Sequence, residues 1–211
     1  MDVQKPVHRF RDENRWTAQE GIYLQELESY FSRSIGSSVE KLNNFAKYVP
    51  RQYLTRFLCH YEIFKRVLNV QGRIIECGVL FGGGLMTFAQ LSSILEPINM
   101  QRQIIGFDTF SGFSEFHDLD GASPTQYIQP GGMAVDSFED LQEAIRLFDA
   151  NRTLGHIPRV SLFRGDVKET IPLYLRDLAR LNFLAANSNN NINLANLPYL
   201  KALIEENGPW K

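Results

Sequence analysis

Arg73-Ile-Ile-Glu-Cys-Gly-Val-Leu-Phe-Gly-Gly-Gly84 is the stretch whose reading decides the fold. A short β-branched run ends on an acidic residue, passes through a glycine turn, and opens a helix-length apolar segment from Gly84 to Leu95. Glycines at such a turn permit positive φ and let backbone N–H groups approach a ligand closely. The dinucleotide fingerprint wants glycines at positions one, three and six of the turn. Here Glu76 precedes Gly78 by two residues, and Gly82, Gly83 and Gly84 follow together. The turn alone leaves two readings open, a ligand cradle or a strand–helix corner that needs small residues.

Further strand–helix alternation lies downstream. Gln103 to Phe107 and Val160 to Phe163 read as strands, and Leu181 to Ala185 as a weaker fourth. Ser137 to Phe148 and Lys168 to Leu181 read as helices, with one more over Leu197 to Glu206. Strands alternating with helices predict a parallel sheet covered on both faces, with ligands bound outside the carboxyl ends of the strands. Polar and glycine residues gather at those ends: Glu76 to Gly84, Asp108 to Gly112, and Gly165-Asp166. Thr109 to Asp136 has no clear period. With Phe110, Phe113, Phe116 and Tyr127 it reads as a lid.

Upstream, the chain reads as helical to about Val70. Thr17-Ala-Gln-Glu20 has capping-box form. Tyr23, Leu24, Leu27, Tyr30 and Phe31 follow at helical spacing. Ser38 opens a second helix, with Val39, Leu42 and Phe45 on one side. After Pro50, Tyr53, Leu54, Phe57, Leu58, Tyr61, Phe64, Val67 and Leu68 form a wide apolar stripe that must pack on something large. The expected organisation is a helical extension over 1–70 and a ligand-binding domain over 71–211. Within 211 residues, 44% hydrophobic and 22% charged residues fit one globular core. A net charge of −2 gives no footprint for nucleic acid or a membrane surface. The polar N-terminus does not read as a signal peptide, and Cys59 and Cys77 read as lone buried thiols, so a cytoplasmic protein is expected.

Asp108, in Gly106-Phe-Asp-Thr-Phe-Ser-Gly-Phe113, stands where the second strand ends, where a carboxylate can accept both ribose hydroxyls or cap the next turn. Asp166 follows the third strand and can cap the helix beginning near Lys168. His117, Asp118 and Asp120 fall in the lid; His8, His60 and His156 have no partner in view. No Cys/His pair has metal spacing, and no serine-nucleophile motif occurs.

From about Val49 to Pro172 the chain resembles the macrocin O-methyltransferase family, which methylates sugar hydroxyls of macrolides, aminocoumarins and related nucleotide-sugar products. The matching residues are Ile75 to Gly84, Phe107-Asp-Thr-Phe-Ser-Gly-Phe-Ser-Glu115 and Gly165-Asp-Val-Lys-Glu-Thr-Ile-Pro172. The resemblance implies a Rossmann-like methyltransferase fold with S-adenosylmethionine as cofactor and a sugar-containing small molecule as acceptor. It implies that Glu76, Gly78 and Gly82 hold the methionyl part and the turn, Asp108 the ribose and Asp166 the adenine side, with Gly83 and Thr109 also among the cofactor-binding residues. Ser137 matches a serine or threonine that opens a helix after the lid. Family members also carry an acidic cluster after the fourth strand that ligates Mg²⁺ and in some members supplies the base. Here Leu184-Ala-Ala-Asn-Ser-Asn-Asn-Asn-Ile-Asn193 stands at that place. Asparagine is neutral, does not deprotonate, and is a weaker Mg²⁺ ligand than a carboxylate. No metal site is therefore assigned, no catalytic residue is named, and the sheet is expected to be incomplete at its C-terminal side. The readings are an O-methyltransferase, a cofactor-binding relic without turnover, or another nucleotide- or NAD-binding α/β protein. The broad helical stripe suits a homo-oligomer.

Overall fold

A computed structural model describes residues 17–115 and 129–188, with side chains described to 179. The chain divides into two compact units, Met1–Arg164 and Gly165–Lys211.

In the first unit, helices α1 (Ala18–Arg33), α2 (Ser38–Asn43) and α3 (Arg51–Val67) precede the sheet, with a 3₁₀ turn at Phe45–Lys47. The expected capping box is present: Glu20 N–H donates to Thr17 Oγ1, and Thr17 N–H donates to the Glu20 carboxylate. A second box, Ser37 with Glu40, caps α2, whose first residue is the expected Ser38. Strand β1 (Ile74–Cys77), helix α4 (Gly83–Leu95), strand β2 (Ile104–Asp108), helix α5 (Phe138–Ala150) and strand β3 (Val160–Arg164) follow. The strands pair in parallel in the order β1-β2-β3, with Cys77 opposite Phe107 and Asp108 opposite Arg164.

The core lies where β2 is sandwiched. Ile104, Ile105 and Phe107 are fully buried, and Leu85 and Ala89 of α4 join Leu141 and Phe148 of α5 in one cluster with Ile104. Burying side chains of this size stabilises by about 1.5–3 kcal/mol each, which fixes the height and register of the strand ends. Gly106 is required by packing. A Cβ there would lie 2.9 Å from both Leu162 and Val79 side-chain carbons.

At the opposite end of the sheet, Arg102 is nearly fully buried. Its guanidinium donates to Glu96 and to the carbonyls of Val67, Val70 and Gly72. It ties the exit of α3 to the entry of β2.

Three expectations are corrected. Leu181 to Ala185 is not a strand: α6 (Val167–Ser188), in the second unit, runs through it. Leu and Ala favour helix, and nothing between Arg180 and Ala186 breaks the ladder, so the helix simply continues. Three strands, not four, are present among the described residues. Cys59 and Cys77 are exposed rather than buried, because α3 is covered only along one side and β1 has an outer edge without a strand among the described residues. The central lid with His117, Asp118 and Asp120, the tract from 189 onward, and His8 lie outside the described residues. No helix among the described residues is long and apolar enough to cross a membrane.

Candidate cofactor site at the carboxyl ends of the strands

The glycine turn leaves β1 at Gly78, whose φ is +80° and whose N–H extends the ladder by donating to Phe107 O at 2.9 Å. The turn closes where Gly82 N–H donates to Val79 O at 2.8 Å, with Gly82 at φ +78°. Its four glycines do different work. A Cβ on Gly78 or Gly83 would meet nothing within 4 Å, so these two border open space. A Cβ on Gly82 would collide with Leu141, and one on Gly84 would stand 2.5 and 2.8 Å from the two Glu76 carboxylate oxygens. Gly82 and Gly84 are thus needed for packing, whereas Gly78 and Gly83 leave room for a ligand.

Glu76 lies against the first turn of α4. Its Oε2 is buried and has no hydrogen-bond partner. Burial pushes its carboxyl up to about 7. A buried acceptor without a donor costs on the order of 1–3 kcal/mol, and such a group needs an explanation. A cationic donor placed on Oε2 would provide one.

Asp108 ends β2 and holds the turn from below. Its Oδ2 accepts from Leu80 N–H at 2.8 Å, and its Oδ1 accepts from Phe110 N–H at 2.7 Å. Each oxygen keeps a further lone pair. Leu80 has φ +52°, an uncommon value for a bulky residue. Ser137, at the start of α5 and 5% exposed, donates its hydroxyl to Leu80 O instead of capping its own helix. One peptide segment is therefore bracketed, its N–H by Asp108 and its C=O by Ser137. Strained backbone persists where surroundings over-determine it.

Thr109 Oγ1 donates to Gly112 O at 2.6 Å and accepts from Ser111 N–H at 3.2 Å, so its hydroxyl shapes the turn after β2. Gly112 meets Gly131 and Gly132, and Phe113 exchanges backbone hydrogen bonds with both. The two stems of the long 109–136 segment are clipped together there. Arg164, at the end of β3, lies over the rings of Phe110 and Phe138 and pairs with Asp136.

In the second unit, Asp166 caps α6. Its Oδ1 accepts from Lys168 N–H at 2.9 Å, and its carbonyl accepts from Thr170. The capping reading of Asp166 holds.

The fold thus gathers Glu76, Gly78, Gly82, Gly83, Asp108, Thr109 and Ser137 within the first unit. The sequence reading had no role for Leu80, Leu141 or Arg164. Leucines carry no chemical signal, and the bracketed peptide of Leu80 acts through its backbone. Arg164, adjacent to the Gly165-Asp166 motif, was the visible one. Among the described residues, no group of three His, Cys, Asp or Glu side chains could hold a metal ion.

No family model matches the sequence, and no curated protein does. Two solved structures of one enzyme are similar. A crystal structure of CalS11, calicheamicin methyltransferase, has a TM-score of 0.72 and 33% identity over 82% of this chain and 66% of that one. Apo CalS11, described as a TDP-rhamnose 3'-O-methyltransferase in calicheamicin biosynthesis, has a TM-score of 0.62 and 32% identity over 80% of this chain and 64% of that one. The chain therefore spans just under two thirds of the length of the enzyme it matches. Its parallel three-strand sheet flanked by helices is the Rossmann-like fold of such methyltransferases, shared at a third of identical residues.

Proposed function

We propose that the chain is an S-adenosylmethionine-dependent O-methyltransferase acting on a sugar hydroxyl of a nucleotide-sugar or a glycosylated natural product. The observation that carries this reading is the orphaned, buried Oε2 of Glu76, packed against Gly84 in a turn whose Gly78 and Gly83 border open space. The methionyl ammonium of the cofactor supplies the cationic donor that this oxygen lacks. Asp108 would hold the ribose hydroxyls through the lone pairs left by Leu80 and Phe110. Gly78 and Gly83 would let the backbone approach the methionyl chain. The likeness to CalS11 supports both the cofactor and a sugar acceptor.

When bound, the cofactor supplies a methyl group on a sulfonium, which transfers in line to an acceptor oxygen. The chain's own task is to fix that methyl against the oxygen, which converts an encounter between two molecules into an oriented one. The bracketed Leu80 peptide serves this end, because it sets the height of the turn relative to Asp108. The acceptor hydroxyl must also lose its proton. None of the described side chains at the strand ends is assigned that role.

A second reading, cofactor binding without turnover, is favoured by one observation. Where the family pattern places carboxylates after a fourth strand, residues 181–188 are helical and 187–193 are rich in asparagine. Incubation with methyl-labelled cofactor and TDP-rhamnose, with and without Mg²⁺, separates the two. Labelled sugar nucleotide establishes the first reading. Tight cofactor binding with no transfer to TDP-rhamnose or related deoxysugar nucleotides establishes the second. A protein that binds NAD in preference overturns both.

A further inference from the structure

Both backbone donors that fix the Asp108 carboxylate come from residues in a strained conformation. Leu80 N–H reaches Oδ2 from a backbone with φ +52°, and Phe110 N–H reaches Oδ1 from one with φ +56°. Left-handed backbone is costly for bulky side chains and persists where the surroundings hold it. For Leu80 the hold is Ser137, whose hydroxyl donates to Leu80 O. Phe110 is held by its ring. The residue is 4% exposed, its ring meets Phe138 edge-on at 5.2 Å, and the Arg164 guanidinium lies over it at 5.7 Å. The same guanidinium lies 4.7 Å from the centroid of the Phe138 ring and pairs with Asp136. Asp136 and Phe138 flank Ser137 in the chain. Arg164 therefore touches the restraint on each donor: Phe110 directly, and the residues on either side of Ser137.

The ion pair itself does not account for this arrangement. Asp136 is 70% exposed, and a pair so open to water contributes little. What a guanidinium adds is geometry. It is planar, always charged, and serves two aromatic rings and a carboxylate together, which an ammonium on a flexible stem does not. Arg164 ends β3 opposite Asp108 in the parallel register, so the sheet fixes its backbone relative to the carboxylate. We infer that Arg164 is a positioning residue of the cofactor site. Through Phe110 and the Asp136–Phe138 segment it holds the Asp108 carboxylate in the orientation that accepts the ribose hydroxyls. It acts on the ligand only by way of Asp108. This role rests on the proposed cofactor reading and adds to it a residue outside the contact shell of the ligand.

A double-mutant cycle on the full chain, with S-adenosylhomocysteine as the probe and calorimetry as the readout, tests it. Arg164→Met keeps the apolar stem and removes both charge and plane, whereas Arg164→Lys keeps the charge alone. Each is expected to bind the probe about tenfold more weakly than wild type. In an Asp108→Ala background the same substitutions are expected to change affinity by less than about twofold, because the carboxylate they would misplace is gone. A merely structural role would lower affinity by the same factor in both backgrounds. Asp136→Ala alters an exposed side chain and repeats the test without disturbing the core. It is expected to weaken binding about threefold with Asp108 present and not at all in its absence. Equal losses in the two backgrounds, or Arg164 variants that bind as tightly as wild type, would overturn the inference and leave the cofactor reading standing. A wild type that does not bind the probe would overturn both.

Discussion

Replacing Glu76 by Gln should stabilise the ligand-free protein and weaken cofactor binding, two effects of opposite sign from one substitution. The carboxyl is pushed from its ordinary 4.5 to about 7 by burial. The folded state therefore holds a proton that the unfolded state has released between those two values. Stability falls as pH rises through that window, because the unfolded state binds fewer protons there, and it levels off above about 7. A rise of this size corresponds to at most about 3 kcal/mol. Glu76 is only half-buried, and solvent screening brings that to about 1–2 kcal/mol. Gln has the same shape and no charge to desolvate. Urea titrations at pH 5 and pH 8 should give similar stabilities for the two proteins at pH 5. At pH 8 the variant should be ahead by about 1–2 kcal/mol, or about 2–8 °C in melting temperature for a chain of this size. A site that stores such a cost in the free protein releases it on binding, a familiar exchange of stability for function. Cofactor affinity should correspondingly fall about tenfold between pH 8 and pH 6 in wild type, as Glu76 takes up its proton. In the variant it should be weaker and insensitive to pH over that range. A variant less stable than wild type at pH 8, or one with wild-type pH dependence, would refute the reasoning.

Ser137→Ala removes the hydroxyl that holds Leu80 O. The loss of one largely buried hydrogen bond should cost about 1–2 kcal/mol by urea denaturation and weaken cofactor binding, while Ser137→Thr restores both. Gly82→Ala combines a left-handed backbone with a collision against Leu141. Together these should cost about 2–5 kcal/mol in thermal unfolding, whereas Gly83→Ala, which meets nothing, should fold normally and show its defect only in ligand titration. Arg102→Ala removes the cationic partner of Glu96 and a donor to three carbonyls. A loss of about 3–5 kcal/mol is expected by chemical denaturation.

The sequence carried the sheet and the turn well, for physical reasons that can be named. Ile104 to Phe107 is apolar throughout because β2 is buried on both faces. The glycine cluster is legible because three of its members respond to sterics that only glycine tolerates: φ at Gly78, Leu141 at Gly82, and Glu76 at Gly84. Asp108 is legible because it closes a strand. Leu181 to Ala185 misled because short apolar runs look alike in strand and helix, and only its unbroken continuation from α6 decides. Cys77 misled because alternation does not say that the outer edge of β1 lacks a strand among the described residues. The bracketing of Leu80 by Asp108 and Ser137 joins residues 57 positions apart, and no local pattern encodes it.

The central claim is that Glu76, the glycine turn and Asp108 form one site for S-adenosylmethionine. Calorimetric titration of the full chain with S-adenosylhomocysteine, beside Asp108→Ala and with NAD as competitor, tests it most directly. One binding site per chain is expected in wild type, weakened more than tenfold in the variant and undisturbed by NAD. Absence of binding to the wild type, or equal binding by the variant, would contradict it.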